Sequence, residues 1–173
     1  MMQPTMAAAE ATEIEGPATF EGFYQGTYER LVRSLYLVTG DPGEAEDLAQ
    51  EAFVRIYERW DKVRTAGNPE GYLYRTALNT HRSRLRRLAV AARRTVHARS
   101  EDEVQASDDR DAIRRALQGL PDGQRYALIL VDWLGMTDAE AGATLRTSAG
   151  AVRNRVMRAR KKLRTILGGE LDD

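Results

Sequence analysis

Apolar residues recur every three or four positions in each patterned segment of this 173-residue chain, and no segment alternates with the period of two that a strand requires. The first such segment has Phe20, Tyr24, Leu31, Leu35 and Val38 at this spacing. Because an apolar face at helical spacing must be buried against another helix, the pattern predicts an all-α fold.

Capping residues mark where these helices begin and end. Gly40 is suited to end the first helix, and Asp41-Pro42-Gly43-Glu44 has the spacing of a capping box with proline at the first helical position. Thr137-Asp138-Ala139-Glu140 has the same spacing, and Ser148 is a suitable N-cap for the last helix. The sequence therefore fixes several boundaries as well as the class of element.

A polar, charged segment divides the helices into two sets. The helical period fades between residues 90 and 108, which predicts a linker, and residues 1–18 are small, acidic and unpatterned. We expect two small helical domains with unstructured ends. The predicted segments are a disordered lead (1–18), a first domain (19–89), a linker (90–108), a second domain (109–168) and a tail (169–173).

Charge is segregated along the chain although the net charge is zero. The net charges of four successive blocks are −8 for residues 1–61, +9 for 62–99, −6 for 100–145 and +5 for 146–173. Since charges separated by more than a Debye length of about 8 Å are screened from one another, the two basic blocks keep their own local fields. Two basic surfaces on one chain indicate a nucleic-acid partner.

Several other classes of protein are disfavoured. The chain has no cysteine, so disulfides and thiolate-bound zinc are excluded and a reducing cytoplasm is expected. His81 and His97 are too isolated to predict a metal site, and no motif of an enzyme active site is visible. No apolar run approaches the roughly 20 residues of a membrane span, and the N-terminus does not have the composition of a signal peptide. We expect no catalytic residues, metal or cofactor, and no membrane insertion.

The segment from 71 to 88 contains five arginines and no acidic residue. Its apolar seam is Tyr74, Leu78, His81, Leu85 and Leu88. A second stripe, one residue further along, aligns Arg75, Asn79, Arg82 and Arg86 about 100° round the helix. Tyr72 adds an aromatic ring beside them, and an aromatic ring with polar groups is suited to unpaired bases. An ordinary solvated face is the alternative interpretation.

The C-terminal segment has the layout of a helix-turn-helix: a capped helix of about eight residues, a short turn and a longer basic helix. Arg153 and Asn154 would face base edges in a major groove, because arginine and asparagine can bond guanine and adenine bidentately. The predicted duplex contacts are Ser148, Arg153, Asn154, Arg155, Arg158 and Lys161. The alternative is a solvated helix whose late cations complement its dipole.

The helix that begins at Pro42 has an acidic outer face. Asp47, Gln50 and Glu51 cluster beside Leu48 and Val54, and this mixed surface is suited to a basic partner helix. A solvated outer face is an equally plain interpretation.

Four segments in this order resemble the extracytoplasmic-function (ECF) sigma factors of the sigma-70 superfamily, and among these the actinobacterial sigma-E group. They are 45–60, 71–87, 120–130 and 147–164, within a resemblance that covers residues 20–167. It implies a non-enzymatic subunit that binds core RNA polymerase, recognises the −10 and −35 promoter elements and assists melting. A candidate anti-sigma factor is a further implied partner.

The resemblance assigns roles by position. Residues 19–89 correspond to sigma region 2 and 109–168 to sigma region 4. Asp47, Leu48, Gln50 and Glu51 then belong to the segment that binds polymerase, and Phe53 to the core.

The loop 61–69 and the following helix correspond to the region that reads the −10 element with a non-template base flipped out. The residues assigned to this region are Arg64, Asn68, Tyr72, Arg75, Asn79, Arg82 and Arg86. The basic C-terminal helix reads the −35 element, and the linker threads the polymerase.

The second domain departs from the usual pattern of the family at three points. The family usually has an aliphatic residue after the glutamate of the first helix, whereas here Glu140 is followed by Ala141 and Gly142, and the turn is Leu145-Arg146-Thr147-Ser148 without the usual glycine. The recognition helix begins Gly150-Ala151-Val152 rather than Gly-Thr-Val. Two rival functions remain at this point: a helix-turn-helix regulator that acts without polymerase, and a helical adaptor with no DNA role.

Overall fold

The computed structural model describes the backbone of residues 19–94 and 109–170, and all of its regular elements are helical. The all-α prediction is thereby confirmed. The predicted lead (1–18) and most of the predicted linker (95–108) lie outside the described residues.

The first bundle contains α1 (Phe20–Thr39), α2 (Pro42–Tyr57), the single turn α3 (Trp60–Val63) and α4 (Pro69–Arg94). α1 packs along α2, and α2 packs along α4. Gly40 ends α1 in the left-handed conformation with φ of 77°, and its amide donates to the carbonyl of Tyr36. The predicted stop signal is confirmed at this residue.

Side-chain caps begin the helices of this bundle. Asp41 Oδ1 accepts from the amide of Glu44 at 2.6 Å, and Pro42 occupies the first helical position of α2. Asn68 Oδ1 accepts from the amide of Gly71 at 2.7 Å at the start of α4. Each contact satisfies an amide that has no partner within its helix.

The second bundle contains α5 (Asp109–Gln118), α6 (Asp122–Leu128), a π-helical segment (Ile129–Trp133), α7 (Asp138–Leu145) and α8 (Ala149–Glu170). α8 packs against α5, α6 and α7. Thr137 and Glu140 form the predicted capping box, and Ser148 Oγ accepts from the amide of Ala151 at 3.1 Å as the predicted N-cap of α8.

The π-helical segment was not predicted. The amide of Leu134 donates to the carbonyl of Ile129 at 3.0 Å, a five-residue interval instead of four. Trp133, the last residue of this segment, is 55% exposed.

Three predicted boundaries are also corrected. Residues 61–63 belong to α3 rather than to a loop. α4 continues through Arg94, into the segment predicted as linker, and α8 continues through Glu170, into the predicted tail. The extension of α4 is rich in alanine and arginine, which are good helix formers, so this helix can continue although its apolar face has ended.

The buried residues of both bundles form one continuous cluster. α1 contacts α5, α6 and the π-helical segment, and α4 contacts α7. Tyr74 from the first bundle and Tyr126 from the second are the largest fully buried side chains among the described residues. The two bundles therefore pack directly against each other in this structure.

Candidate nucleic-acid interface

The buried apolar seam of α4 determines the direction in which the adjacent arginine stripe faces. Tyr74, Leu78 and His81 are buried at 2%, 3% and 3% exposure, as the spacing predicts, and Leu85 is half-buried. The prediction is wrong for Leu88, which is 63% exposed because α4 extends past the core at this point. The seam thus fixes the rotation of α4 about its axis only as far as Leu85.

The four residues of the adjacent stripe do not share one environment. Asn79 and Arg86 are exposed, whereas Arg75 and Arg82 are half-buried against the second bundle. Arg75 Nη2 donates to the carbonyl of Ala143 on α7 at 2.7 Å. The guanidinium of Arg82 lies 5.0 Å from the centre of the Tyr126 ring, within the range of a cation–π contact.

Asn79 lies between two cavities. One has a volume of about 310 Å³ and combines the C-terminal end of α2 with the first turns of α4. Its lining is Arg55, Glu58, Arg59, Tyr72, Thr76 and Asn79. Sites for small ligands begin at roughly 300 Å³, so this cavity has room for a small planar group beside an aromatic ring and several hydrogen-bonding groups.

The other cavity lies between the two bundles and has a volume of about 690 Å³. The stripe residues Asn79, Arg82 and Arg86 line one side of it, and Asp122 and Arg146 line the other. Three guanidiniums and one carboxylate therefore face the same space.

Two predicted −10 contacts from the loop have local roles. The Asn68 side chain caps α4 and is committed to the amide of Gly71. Arg64 is exposed, and its Nε lies 3.3 Å from Asp61 Oδ1. Their contact with DNA stays a prediction.

The helix-turn-helix is built from α7 and α8, and its departures from the family pattern have structural counterparts. Arg146 has φ of 55°, the left-handed conformation that favours glycine. A Cβ at Gly142 would lie 2.9 Å from the carbonyl oxygen of Thr147 and 3.3 Å from the amide of Ala149. Gly142 is thus required for the close approach of α7 to the turn, and this accounts for a glycine at this position.

The outward face of α8 carries exposed polar and cationic side chains. Arg153 is 72% exposed, with its Nε 3.1 Å from Asp138 Oδ2, and Asn154 and Arg158 are exposed as well. Lys161 is exposed one turn further on, whereas Arg155 is half-buried with its guanidinium beside Gly123. Ser148 is the N-cap, so its hydroxyl already has a backbone partner.

Other cations of α8 hold the second bundle together. Arg160 donates to both carboxylate oxygens of Asp132, at 2.6 and 2.9 Å, and Lys162 Nζ donates to the carbonyl of Gly119 at 2.7 Å. The basic run on α8 therefore divides into residues that brace the bundle and residues that face solvent.

The acidic face of α2 exposes Asp47 and Gln50. Leu48 is 0% exposed and packs in the core, so its side chain is not part of this exposed face, and its contact with polymerase stays a prediction. Phe53 is buried at 3% exposure, as expected for a core residue.

Glu51 already has two intramolecular partners. Its Oε1 lies 2.6 Å from Nη2 of Arg55, and its Oε2 accepts from Nη2 of Arg84 on α4 at 2.8 Å. The hydrogen bond from Arg84 is the main reason why the pKa of Glu51 is lowered. The side chain therefore links the acidic helix to α4.

The residues that join the two bundles were not predicted as functional. Tyr126 is 0% exposed, and its hydroxyl is hydrogen-bonded to Nδ1 of His81 at 2.7 Å. Gln118 Nε2 donates to the carbonyls of Leu37 and Val38, and its Oε1 accepts from the buried Arg125. Sequence periodicity gave no signal for these contacts, because it identifies a buried face and not the partner of that face.

Within residues 19–94 and 109–170, no helix has the length and apolar character needed to cross a membrane. The same residues contain no cluster of histidine and carboxylate side chains that could hold a metal ion.

Comparison with known proteins gives matches in both bundles. Residues 23–90 match Sigma-70 region 2, and residues 110–163 match Sigma-70 region 4. The chain is 33% identical over 151 residues to the RNA polymerase sigma-E factor of Streptomyces avermitilis. The aligned region covers 86% of this chain and 84% of the relative. It is also 33% identical over 135 residues to the ECF RNA polymerase sigma factor EcfG of Rhodopseudomonas palustris, and this alignment covers 75% of each chain.

The fold is also found among solved structures. The sigma factor RpoE of Bartonella quintana, solved in complex with the anti-sigma factor NepR, superposes with a TM-score of 0.75 at 23% identity. The match covers 86% of this chain and 96% of that one.

The two bundles, with an arginine-lined helix in the first and a helix-turn-helix in the second, define a two-domain, all-helical nucleic-acid-binding protein. The extent of its similarity to the sigma-E and EcfG factors identifies the family: this chain belongs to the ECF sigma factors of RNA polymerase.

Proposed function

We propose that this chain is a promoter-specificity subunit that binds core RNA polymerase, directs it to promoters through their −10 and −35 elements and assists melting. The observation that carries this function is the match to region 2 and region 4 in the order and at nearly the full length of sigma-E relatives. In this role the chain acts in the cytoplasm, needs no cofactor and leaves the chemistry of RNA synthesis to the polymerase.

In the first bundle, we propose that α4 and the end of α2 hold the single-stranded −10 element. Arg75, Arg82 and Arg86 would contact phosphates of the separating strands. A base that leaves the stack would enter the 310 Å³ cavity beside Tyr72 and Asn79. Flipping costs a few kcal/mol per base, and a stacking ring with oriented hydrogen-bonding groups can offset that cost.

In the second bundle, the proposal assigns the −35 duplex to the exposed face of α8. Arg153 and Asn154 lie in its first two turns, where a recognition helix contacts base edges. Arg158 and Lys161 lie further along the same helix and would contact phosphates, which set affinity and register rather than sequence choice.

Core polymerase is assigned to the exposed acidic face of α2, with Asp47 and Gln50 as its contacts. Glu51 would support this face from beneath through its links to Arg55 and Arg84. An anti-sigma factor is a further proposed partner, supported by the complex in which the structurally similar RpoE was solved.

The test is transcription by purified core polymerase from a library of genomic promoter fragments, with and without the full chain. We expect initiation at a defined set of promoters only when both are present. Initiation that does not depend on the chain would contradict the proposal. The double variant Arg153→Glu/Arg158→Glu should lose promoter selection, and Arg33→Glu/Arg115→Glu, which reverses exposed charges on α1 and α5 outside the proposed contacts, serves as a matched charge control.

A regulator that acts without polymerase is not favoured, because such a protein has no need of a region 2 bundle. It would bind its duplex site tightly by itself, so binding of promoter DNA by the chain alone distinguishes the two functions. An adaptor without a DNA role would be unaffected by the charge reversal on α8.

A further inference from the structure

The turn between α7 and α8 contains a residue whose backbone conformation is unfavourable for its type. Arg146 has φ of 55° and ψ of 51°, in the left-handed region, and within residues 19–94 and 109–170 no other residue besides glycine has a positive φ. Turns of the family usually have glycine here, because a Cβ disfavours this conformation. Backbone strain of this kind is concentrated at functional sites, so the side chain of Arg146 is a candidate for a role of its own.

The side chain of Arg146 lines the cavity of about 690 Å³ between the two bundles. Arg82 and Arg86 line the α4 side of the same cavity, and they lie one helical turn apart on one face of that helix. Arg82 is half-buried, and the other two are exposed. Three guanidiniums from two separate elements therefore converge on one space.

The positive charge around this cavity exceeds its negative charge. Asp122 is the acidic residue of the lining, and its Oδ1 accepts from Nη2 of the buried Arg125 at 2.5 Å. In the part of the chain that the structure describes, the guanidiniums of Arg86 and Arg146 have neither an ion pair nor a hydrogen bond. Like charges in a partly enclosed space repel one another unless an anion lies between them. The arrangement thus favours an anionic ligand.

The type of cation indicates which anion. Guanidinium groups are planar forks that bind phosphate oxygens in pairs, with charge-assisted hydrogen bonds. The cavity is within the range of roughly 300–1,000 Å³ found for small-molecule sites, so it has room for more than a single phosphate. A chain of phosphates can reach from α4 to Arg146, and the apolar side chains of Leu85 and Ala89 in the lining suit an attached ring.

We propose that this cavity is a binding site for a small ligand with a di- or triphosphate group, held by Arg82 and Arg86 on one side and by Arg146 on the other. Neither Arg146 nor a small ligand has a part in the promoter contacts assigned above, so the site goes beyond the proposed function. The strained backbone at Arg146 is explained by its side chain, since glycine would relieve the strain but leave the site with guanidiniums on α4 alone.

Calorimetric titration of the full chain with inorganic pyrophosphate tests the site at an ionic strength of about 0.15 M, where long-range attraction is screened. We expect saturable binding of one pyrophosphate per chain. Sulfate at equal ionic strength should compete poorly, because a single tetrahedral anion cannot reach both sides of the cavity. Absence of saturable binding, or displacement by sulfate at the concentration that pyrophosphate itself requires, would overturn the proposal.

A parallel titration with ATP distinguishes the two sources of such a group. If ATP binds more tightly than pyrophosphate, the apolar part of the lining contacts the nucleoside, and the ligand is a nucleotide. If ATP binds equally or more weakly, the phosphate chain alone is recognised. Either result requires that Arg146 be part of the site, which the variants measure.

Arg146→Ala should lower the affinity for pyrophosphate by about tenfold, the loss expected for one charge-assisted contact. Arg115→Ala is the matched control, because it removes an exposed guanidinium from α5, outside the cavity. We expect its affinity to equal that of the wild type. Equal losses in the two variants would assign binding to the overall charge of the chain and would contradict the proposal.

Arg146→Gly separates the site from the stability of the fold. Glycine relieves the left-handed backbone, so this variant should unfold at the same temperature as the wild type or higher, yet it should bind pyrophosphate as weakly as Arg146→Ala. Pyrophosphate should also raise the Tm of the wild type more than that of either variant, because a ligand stabilises the state that binds it. Full affinity in Arg146→Gly would overturn the proposal.

These measurements use the chain without polymerase or promoter DNA. Their outcome is therefore independent of the transcription test, and failure of the phosphate site leaves the proposed function unaffected.

Discussion

The hydroxyl of Tyr126 and Nδ1 of His81 form a buried hydrogen bond of 2.7 Å that joins the second bundle to the first. Burial lowers the pKa of His81, and the cations Arg125, Arg84 and Arg82 lower it further. Asp122 opposes this, and Glu44, whose own pKa is raised by burial, lies 3.9 Å from Nε2 of His81. The balance favours a neutral imidazole in the packed state.

The stability of the packed chain should therefore fall as pH decreases through the ordinary pKa of histidine, about 6.5. Below this value the unfolded chain binds a proton that His81 in the folded chain still excludes, so the folded state loses up to about 1.4 kcal/mol per pH unit. Urea denaturation at about pH 7.5 and about pH 5.5 measures the loss.

His81→Asn is the control, because an amide can keep a hydrogen bond with Tyr126 but does not titrate. The variant should lose less stability than the wild type over the same interval. An equal loss in both would show that groups other than His81 determine the pH response.

Arg146→Gly should stabilise the second bundle by about 1 kcal/mol. A left-handed residue with a Cβ costs about 1–2 kcal/mol, and the greater unfolded-state freedom of glycine offsets part of the gain. Arg146→Ala removes the same guanidinium but keeps the Cβ, so it should give no such increase. Comparable stabilisation of both variants in urea denaturation would locate the effect in the side chain rather than in the backbone.

Asn79→Ala should impair promoter opening by about three- to tenfold, the loss expected for one hydrogen bond to an unpaired base. Folding should be preserved, because the side chain is exposed and alanine is a better helix former. Asn154→Ala is the matched change on α8 and should instead weaken binding of the closed, duplex complex. Permanganate reactivity of unpaired thymines and duplex affinity distinguish the two outcomes.

Asp47→Arg should reduce affinity for core polymerase by about tenfold or more, because it places a like charge against a basic partner. Glu51→Arg is a less selective variant, since it also breaks the contacts with Arg55 and Arg84. Glu29→Arg reverses an exposed charge on α1, outside the proposed docking face, and should leave affinity unchanged. Equal losses for Asp47→Arg and Glu29→Arg would indicate a long-range field effect.

Features that depend on a few neighbouring residues were predictable from the sequence. The capping box at Thr137 and Glu140, the stop at Gly40 and the N-cap at Ser148 are all present, because each contact forms within four residues. The buried seam of Tyr74, Leu78 and His81 was also correct, since helical spacing decides which side of α4 is inside.

Features that depend on long-range packing were not predictable in the same way. Leu48 was assigned to a partner surface although the core of the first bundle buries it. The hydrogen bond from Arg75 to the carbonyl of Ala143 joins residues 68 positions apart, so no local sequence pattern indicates it. The roles of Asn79 and the exposed residues of α8 in DNA binding stay predictions that the experiments above address, and the role of Arg64 stays a prediction as well.

Because of the π-helical segment at Ile129–Trp133, deletion of one residue within it would change which side chains this helix presents at the surface. Removing one residue there would restore ordinary α-helical winding and turn every later position of the helix by about 100°. Trp133 would move off the groove it now borders, and Asp132 would lose its alignment with Arg160. A single-codon deletion could thus reshape this side of the molecule without altering the chemistry of any remaining side chain.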